Sequence, residues 1–376
     1  MTEIEIGLSK RARRTYSLDD VALVPSRRTR DRADVDTSWR IDAFTFDTPL
    51  IAAPMDSVMS PQTAIALGKL GGLGVLNLEG LWTRYEDPQP YLDEITALDL
   101  QDHVAATRRM QEIYSEPIKA ELITERLREI RESGVIVAGA LTPQNTQEFY
   151  ETVVKAGVDI FVIRGTTVSA EHVSSNHEPL DLKKFIYELD VPVIVGGVAG
   201  YTPALHLMRT GAAGVLVGFG GGSSKTNRRG LGIQAAMATA IADVAAARSR
   251  YLDESGGRYV HVIADGELGR SGDLVKSLAL GADALMIGAP LAHAEEAPGK
   301  GLYWGNEAHS TDFPRGIRTQ LGTSGTMEEV LYGPSHHTDG TSNIMGAIRR
   351  SMATCGFTDL KSFQRSEVVL NGFHAE

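Results

Sequence analysis

Short, almost uninterrupted apolar runs recur along the chain, each preceded by a turn residue and separated from the next by a stretch with helical spacing. Eight of them are PLIAAPM (49–55), GLGVLN (72–77), GVIVAGAL (134–141), DIFVIRG (159–165), VPVIVGGV (191–198), GVLVGFG (214–220), YVHVIADG (259–266) and ADALMIGA (282–289). Their length suits strands, and their lack of polar alternation suits strands buried on both faces. Four segments, LGKLGGLGVLN (67–77), VVKAGVDIFVIRG (153–165), LMRTGAAGVLVGFG (207–220) and SLALGADALMIGA (277–289), share a helix-like stretch that ends in glycine before the β-rich run. Glycine there suits the left-handed residue that closes a helix.

Helix alternating with strand predicts a parallel sheet. Eight β/α units predict an α/β fold of the (β/α)8 TIM-barrel type, with its site in the loops after the strand C-termini. A doubly wound open sheet is the alternative. Residues 78–133 and the tail from Pro298 are longer than ordinary connections. Within the first, PIKAELITERLREIRESG (117–134) reads as a solvated helix on the outside of the barrel. A single barrel domain over 1–376 is expected, with strands within 49–289 and a flap and C-terminal segment over 298–376.

Composition narrows the function. A chain of 376 residues with 42 % hydrophobic content can bury a large core. Its net charge of −11 works against nonspecific attraction to nucleic acid, and the Arg-rich stretches near the N-terminus are interleaved with acids, so a solvated arm is expected there. No apolar run reaches membrane-span length and the first residues lack a signal-peptide core, which leads to the expectation of a cytoplasmic protein without a membrane partner. The single cysteine, Cys355, excludes an internal disulfide and a multi-cysteine metal site.

Three polar loops fall on the predicted rim: GFGGGSSKTNRR (218–229) after the sixth run, DGELGRSGD (265–273) after the seventh and GAPLAH (288–293) after the eighth. Glycine-flanked amides and a helix N-terminus in such loops favour an anion, and Ser271, Gly272 and Asp273 read as the cap of that helix.

These loops and several longer segments resemble the IMP dehydrogenase and GMP reductase family. YSLDDVALVPSRRT (16–29), PLIAAPMDSVMSPQTAIALGKLGGLGVLN (49–77), ADGELGRSGDLVKSLALGADALMIGAPLA (264–292), GLYWGN (301–306) and IRRSMATCGFTDLKSF (348–363) carry the resemblance over nearly the whole chain. Residues 78–133 are too few for the regulatory CBS pair of typical IMP dehydrogenases; in this the chain resembles GMP reductases and, most closely, a CBS-less bacterial IMP dehydrogenase-related branch. The resemblance implies an oxidoreductase acting on a purine nucleoside monophosphate (IMP, XMP or GMP) with NAD or NADP(H), working as a homo-oligomer, a tetramer in most members. It also implies a cysteine thiolate that attacks the purine, a suitable nucleophile near neutral pH.

Laid on GFGGGSSKTN, that cysteine position falls on Lys225, with Thr226 next to it. Lys225 is then a nucleophile, a charge partner for phosphate, an ammonium in place of the potassium that loop carbonyls (Gly220, Gly222, Lys225) hold in the family, or a solvated lysine. The resemblance places Ser223, Gly266, Glu267, Gly288, Ala289, Tyr303 and Asn306 around the nucleotide, Asp265 on the two ribose hydroxyls, and Arg164, Gly218 and Gly220 toward the cofactor. Several positions depart from it: Glu267 stands for a glycine, Ala289 for a serine, Arg164 for an aspartate, Gly197 for an asparagine and Asn227 for a threonine. In the flap, Tyr332 lacks the arginine that precedes the family's tyrosine, Glu328 or Glu329 could serve as acid or base, and His336 and His337 read as a loop pair without further metal ligands. Two other readings remain open: a catalytically reduced nucleotide-binding barrel serving as sensor or partner subunit, and an FMN-binding barrel, which would be yellow.

Overall fold

In the computed structural model, which describes residues 3–175, 178–220, 226–312 and 318–371, all eight apolar runs become strands of one parallel sheet. They are β1 (Leu50–Ala52), β2 (Val75–Asn77), β3 (Ala138–Leu141), β4 (Ile160–Arg164), β5 (Val193–Val198), β6 (Gly214–Val217), β7 (His261–Ala264) and β8 (Ala284–Ile287). Neighbours in the sheet are neighbours in sequence, with β8 returning to β1. Between β1 and β2 the ring is closed by two amides: Ala52 N–H donates to the Leu73 carbonyl at 2.8 Å and Leu73 N–H to that of Leu50 at 3.0 Å. The result is the expected (β/α)8 barrel.

Burial explains the uninterrupted apolarity of the runs. Residues of β1, β2, β3, β6 and β8 are buried at every position, since one face fills the barrel interior and the other meets the helices. Helix closure also follows the sequence: Gly157 and Gly211 end their helices at φ 87° and 101°, a conformation that costs side chains with a Cβ.

The outer layer holds α1 (Pro61–Lys69), α4 (Ala120–Glu132), α5 (Pro143–Lys155), α6 (Leu182–Glu188), α7 (Tyr201–Arg209), α8 (Met237–Glu254) and α9 (Ser271–Ala279). Two further helices, α2 (Gln89–Ala97) and α3 (His103–Ile113), form the insertion before α4. The expectation of a merely solvated helix over 117–134 is corrected here. α4 lies outside the sheet, but it packs against α1 and α5 and buries Leu122, Ile123, Leu127 and Ile130, so it is an integral barrel helix. Most of its charges lie on the opposite face, but Arg126 turns inward and donates to the Trp82 and Glu86 carbonyls at 3.2 and 2.7 Å.

After β8 the chain runs through α10 (Ala289–Ala292), α11 (Met327–Tyr332), α12 (Ile344–Thr354) and α13 (Leu360–Phe363). α12 packs on α9 and α11, and the last strand, Val368–Leu370, pairs antiparallel with Val21–Leu23. At the N-terminal face of the barrel, Arg248 meets Asp283 at 2.6 Å, and Asp283 also accepts from Tyr259 Oη at 2.6 Å and from the Val262 amide at 2.8 Å. The N-terminal hairpin, Glu3–Gly7 with Lys10–Arg13, is exposed throughout, as expected of a solvated arm. No helix among the described residues is long and apolar enough to cross a membrane.

Candidate functional site

The strand C-termini open onto a mouth where Gly218 and Gly220 after β6 meet Asp265 after β7, and Gly288 after β8 meets Tyr303. Asp265 follows β7 directly, and its backbone is fixed from both sides: its N–H donates to the Val217 carbonyl at 2.7 Å and its carbonyl accepts from Gly220 N–H at 2.9 Å. Gly218, at φ 113°, lies so close to the Asp265 carbonyl that a Cβ there would collide with it. With its backbone locked, Asp265 presents a carboxylate that is only 5 % exposed.

Both oxygens of that carboxylate are engaged by Arg164, the last residue of β4. Nε donates to Oδ2 at 2.9 Å and Nη2 to Oδ1 at 3.3 Å, a forked pair with the arginine side chain 19 % exposed. Burial works against the Arg164 charge, but the Asp265 carboxylate outweighs it and holds the guanidinium above its ordinary value. Arg164, expected to face the cofactor, is thus brought to the ribose-binding candidate instead.

Tyr303 completes the wall on the β8 side. A Cβ on Gly288 would come within 2.9 Å of its hydroxyl and 3.2 Å of Met55 Sδ, so glycine at 288 is what lets the ring and the sulfur lie over the strand end. Burial raises the Tyr303 phenol above its usual range, with Arg164 opposing and Asp265 and Glu307 adding to the rise. Glu307 was not anticipated from the sequence, although it directly follows the GLYWGN segment. Burial raises its carboxyl, its own backbone N–H and Arg164 oppose this, and Asp265 adds to it.

A second buried group sits behind the mouth. Asp56, in the loop after β1, accepts from Leu81 N–H at 2.9 Å, Tyr114 Oη at 2.8 Å and Asn77 Nδ2 at 3.2 Å. Its full burial raises the carboxyl, which these donors and Arg84 partly offset. Trp304 Nε1 donates to the Tyr114 oxygen at 3.2 Å, and the His309 ring stacks on Tyr114 with centroids 3.6 Å apart. Tyr114 comes from the end of the insertion, where no motif marks it.

The other expected residues divide. Gly266 and Glu267 border the mouth, and Glu267 adopts φ 56°, the left-handed region where the resembled family has glycine. Ala289 begins α10 after Gly288. Asn306 is exposed, and its side-chain oxygen lies 3.5 Å from Asn77 Nδ2. Thr226 leads into a π-helical turn, Asn227–Leu231, where Asn227 is buried. Gly222, Ser223 and Lys225 lie outside the described residues.

Three expectations are corrected. Tyr332 does not reach the mouth: its hydroxyl donates to the Leu70 carbonyl at 2.6 Å, and Leu70 lies between α1 and β2 at the opposite, N-terminal end of the barrel. Glu329 is a helix cap, accepting from Thr326 N–H at 2.9 Å, while Glu328 is exposed. The N-cap of α9 is Arg270 in extended conformation; Ser271 is its first helical residue, and the Ser271 N–H is taken by the Gly340 carbonyl at 2.8 Å. His336 and His337 are exposed, and among the described residues no three His, Cys, Asp or Glu side chains are grouped to hold a metal.

The sequence pattern of the IMP dehydrogenase / GMP reductase domain matches residues 15–372. The chain belongs to this family of oxidoreductases. It is 50 % identical to an uncharacterized oxidoreductase of Mycolicibacterium smegmatis, covering 96 % of this chain and 98 % of that one. It is 48 % identical to an uncharacterized oxidoreductase of Mycobacterium tuberculosis, covering 98 % and 100 %. The crystal structure of an IMP dehydrogenase/GMP reductase-like protein from Corynebacterium glutamicum superposes with a TM-score of 0.94 at 52 % identity, covering 98 % of each chain. Against the family pattern, Gly197 takes on a physical meaning: any Cβ there would strike the Gly218 carbonyl oxygen, so the family's asparagine has no room beside this glycine loop.

Proposed function

We propose that the mouth binds a purine nucleoside monophosphate and that the protein exchanges hydride between that nucleotide and NAD or NADP(H). The observation that carries this reading is Asp265, a buried carboxylate with a locked backbone at the end of β7, whose two oxygens suit the two hydroxyls of a ribose. The phosphate is proposed to lie among Ser223, Gly266, Gly288, Ala289 and Tyr303, with Glu267 and Asn306 at the edge of the nucleotide. Gly218 and Gly220 are buried against the Asp265 backbone, so their part in the proposal is to hold Asp265 in place and no contact with nicotinamide is assigned to them. Arg164, as it stands, donates to Asp265, so no role toward nicotinamide is assigned to it.

One observation favours a second reading, in which the barrel binds the nucleotide without covalent turnover. The only cysteine, Cys355, follows α12, its Sγ 3.7 Å from the Val24 carbonyl on the N-terminal segment, and burial raises the thiol. A buried, protonated thiol away from the mouth does not supply the family's nucleophile.

Thermal-shift titration with IMP, XMP and GMP, followed by nicotinamide absorbance with each nucleotide plus NAD or NADPH, separates the two. A shift with turnover supports the oxidoreductase, and a shift without turnover supports the binding barrel. No shift with any of the three overturns both. Turnover that survives Lys225→Ala shows that this lysine is no nucleophile.

A further inference from the structure

A groove on the flank of the barrel shares no residue with the mouth. It lies where α6, the end of α7 and the last turns of α8 come together, bordered by Thr210 and Gly211 before β6 and by Arg258 before β7. Its volume is about 590 Å³, and Ile186, Tyr187 and Tyr251 give it an apolar and aromatic lining.

The charge of this groove is opposite to that of the chain. In a protein of net charge −11, the described residues lining it include Lys183, Lys184, Arg209 and Arg258 against one acid, Asp181. Arg209 is neutralised by Glu254, to which Nε donates at 3.1 Å and Nη2 at 2.9 Å. The Asp181 carboxylate caps α6, accepting from Lys184 N–H at 3.0 Å. Lys183, Lys184 and Arg258 form no ion pair among the described residues, and Arg258 is held by donating to the Gly211 carbonyl.

One buried group points to a ligand. Tyr251 is 8 % exposed, and its hydroxyl has no hydrogen-bond partner among the described residues yet is not an enclosed atom, so the oxygen opens onto the groove. A phenol buried to that extent ordinarily has a partner. Beyond Ile186, Gly211 and Arg258 the groove continues into a recess of about 290 Å³ that bears Asp42 and Asp190. Cations, an aromatic wall and acceptors thus follow one another along one surface.

We infer that this groove is a second ligand site, separate from the mouth, that binds a nucleoside phosphate. The phosphates lie on Lys183, Lys184 and Arg258, the base lies against Tyr187, whose ring is 90 % exposed, and the Tyr251 hydroxyl gains its partner. An inorganic anion would use the cations alone, and an uncharged aromatic ligand the tyrosines alone. The inference goes beyond the reading of the mouth and does not rest on it.

Calorimetric titration of the full chain with ATP, GTP and inorganic tripolyphosphate tests this. Lys183→Ala/Lys184→Ala removes two exposed side chains that hold no other element, and is expected to weaken nucleotide binding by about tenfold or more. Tyr187→Ala is expected to weaken the nucleotides several-fold and to leave tripolyphosphate unchanged. Arg164→Ala/Asp265→Ala, at the mouth, is expected to leave binding at the groove intact. Binding of neither ATP nor GTP, or a loss caused by the mouth variant and not by the lysine pair, overturns the site. Tripolyphosphate bound as tightly as the nucleotides overturns it too, since cations alone then account for the attraction. The reading of the mouth is decided separately, by the titration with IMP, XMP and GMP.

Discussion

Tyr114 Oη donates to Asp56 Oδ2 at 2.8 Å, joining the end of the insertion helix α3 to the loop after the first barrel strand. The same oxygen accepts from Trp304 Nε1, so one phenol connects three parts of the chain around the mouth. The insertion is therefore part of the wall that shapes the site.

Tyr114→Phe removes a donor from a buried carboxylate and an acceptor from a buried indole. A loss of about 1 to 3 kcal/mol is expected, because the buried Trp304 indole loses its acceptor where water does not replace it, while Asp56 keeps the Leu81 and Asn77 donors. Urea unfolding with an unchanged m-value is the measurement.

Asp265→Ala leaves Arg164 in a largely closed site without its counter-charge. The expected destabilisation is roughly 3 kcal/mol, and Arg164→Ala/Asp265→Ala should cost less than Asp265→Ala alone, since removing both charges avoids the stranded cation. Chemical denaturation of the three variants decides it; a double variant less stable than Asp265→Ala would contradict the pairing.

Restoring the family residue by Gly197→Asn forces a Cβ into the Gly218 carbonyl. A loss of about 3 kcal/mol is expected, read as a lowered Tm, with Gly197→Ala nearly as damaging because the collision is made by the first side-chain atom.

His261 gives a pH dependence of known sign. Burial lowers its pKa, with Asp283 opposing and Arg248 and Lys361 reinforcing, and its Nδ1 accepts from Trp39 Nε1 at 3.2 Å. A histidine whose folded value lies below its unfolded one binds fewer protons when folded, so its contribution is complete above the unfolded value of about 6.5 and is lost as pH falls through the folded value. Wild type should therefore lose more stability than His261→Asn between about pH 7 and about pH 5, since asparagine keeps an acceptor for Trp39 but does not titrate. Equal slopes would exclude His261 as the source.

The barrel was legible because burial on both faces demands apolar residues at every position of a strand, and β1, β3, β6 and β8 show that demand without interruption. The rim was legible too, since glycine loops follow β6 and β7. The path of the flap was not: Tyr332 carries no periodic signal that would reveal its hydrogen bond to Leu70 at the far end of the barrel. Tyr114 was equally hidden, as an ordinary helix-end tyrosine whose partner is 58 positions away.

Local patterning by itself determined the eight strands, the glycine helix ends and the presence of a carboxylate at the rim, because each depends on residues adjacent in the chain. Only the closed barrel decided that Arg164 and Asp265, 101 positions apart, share one forked pair. Circular closure sets β4 and β7 across a common mouth, and electrostatic partnership there depends on distance through space, which neither composition nor periodicity encodes.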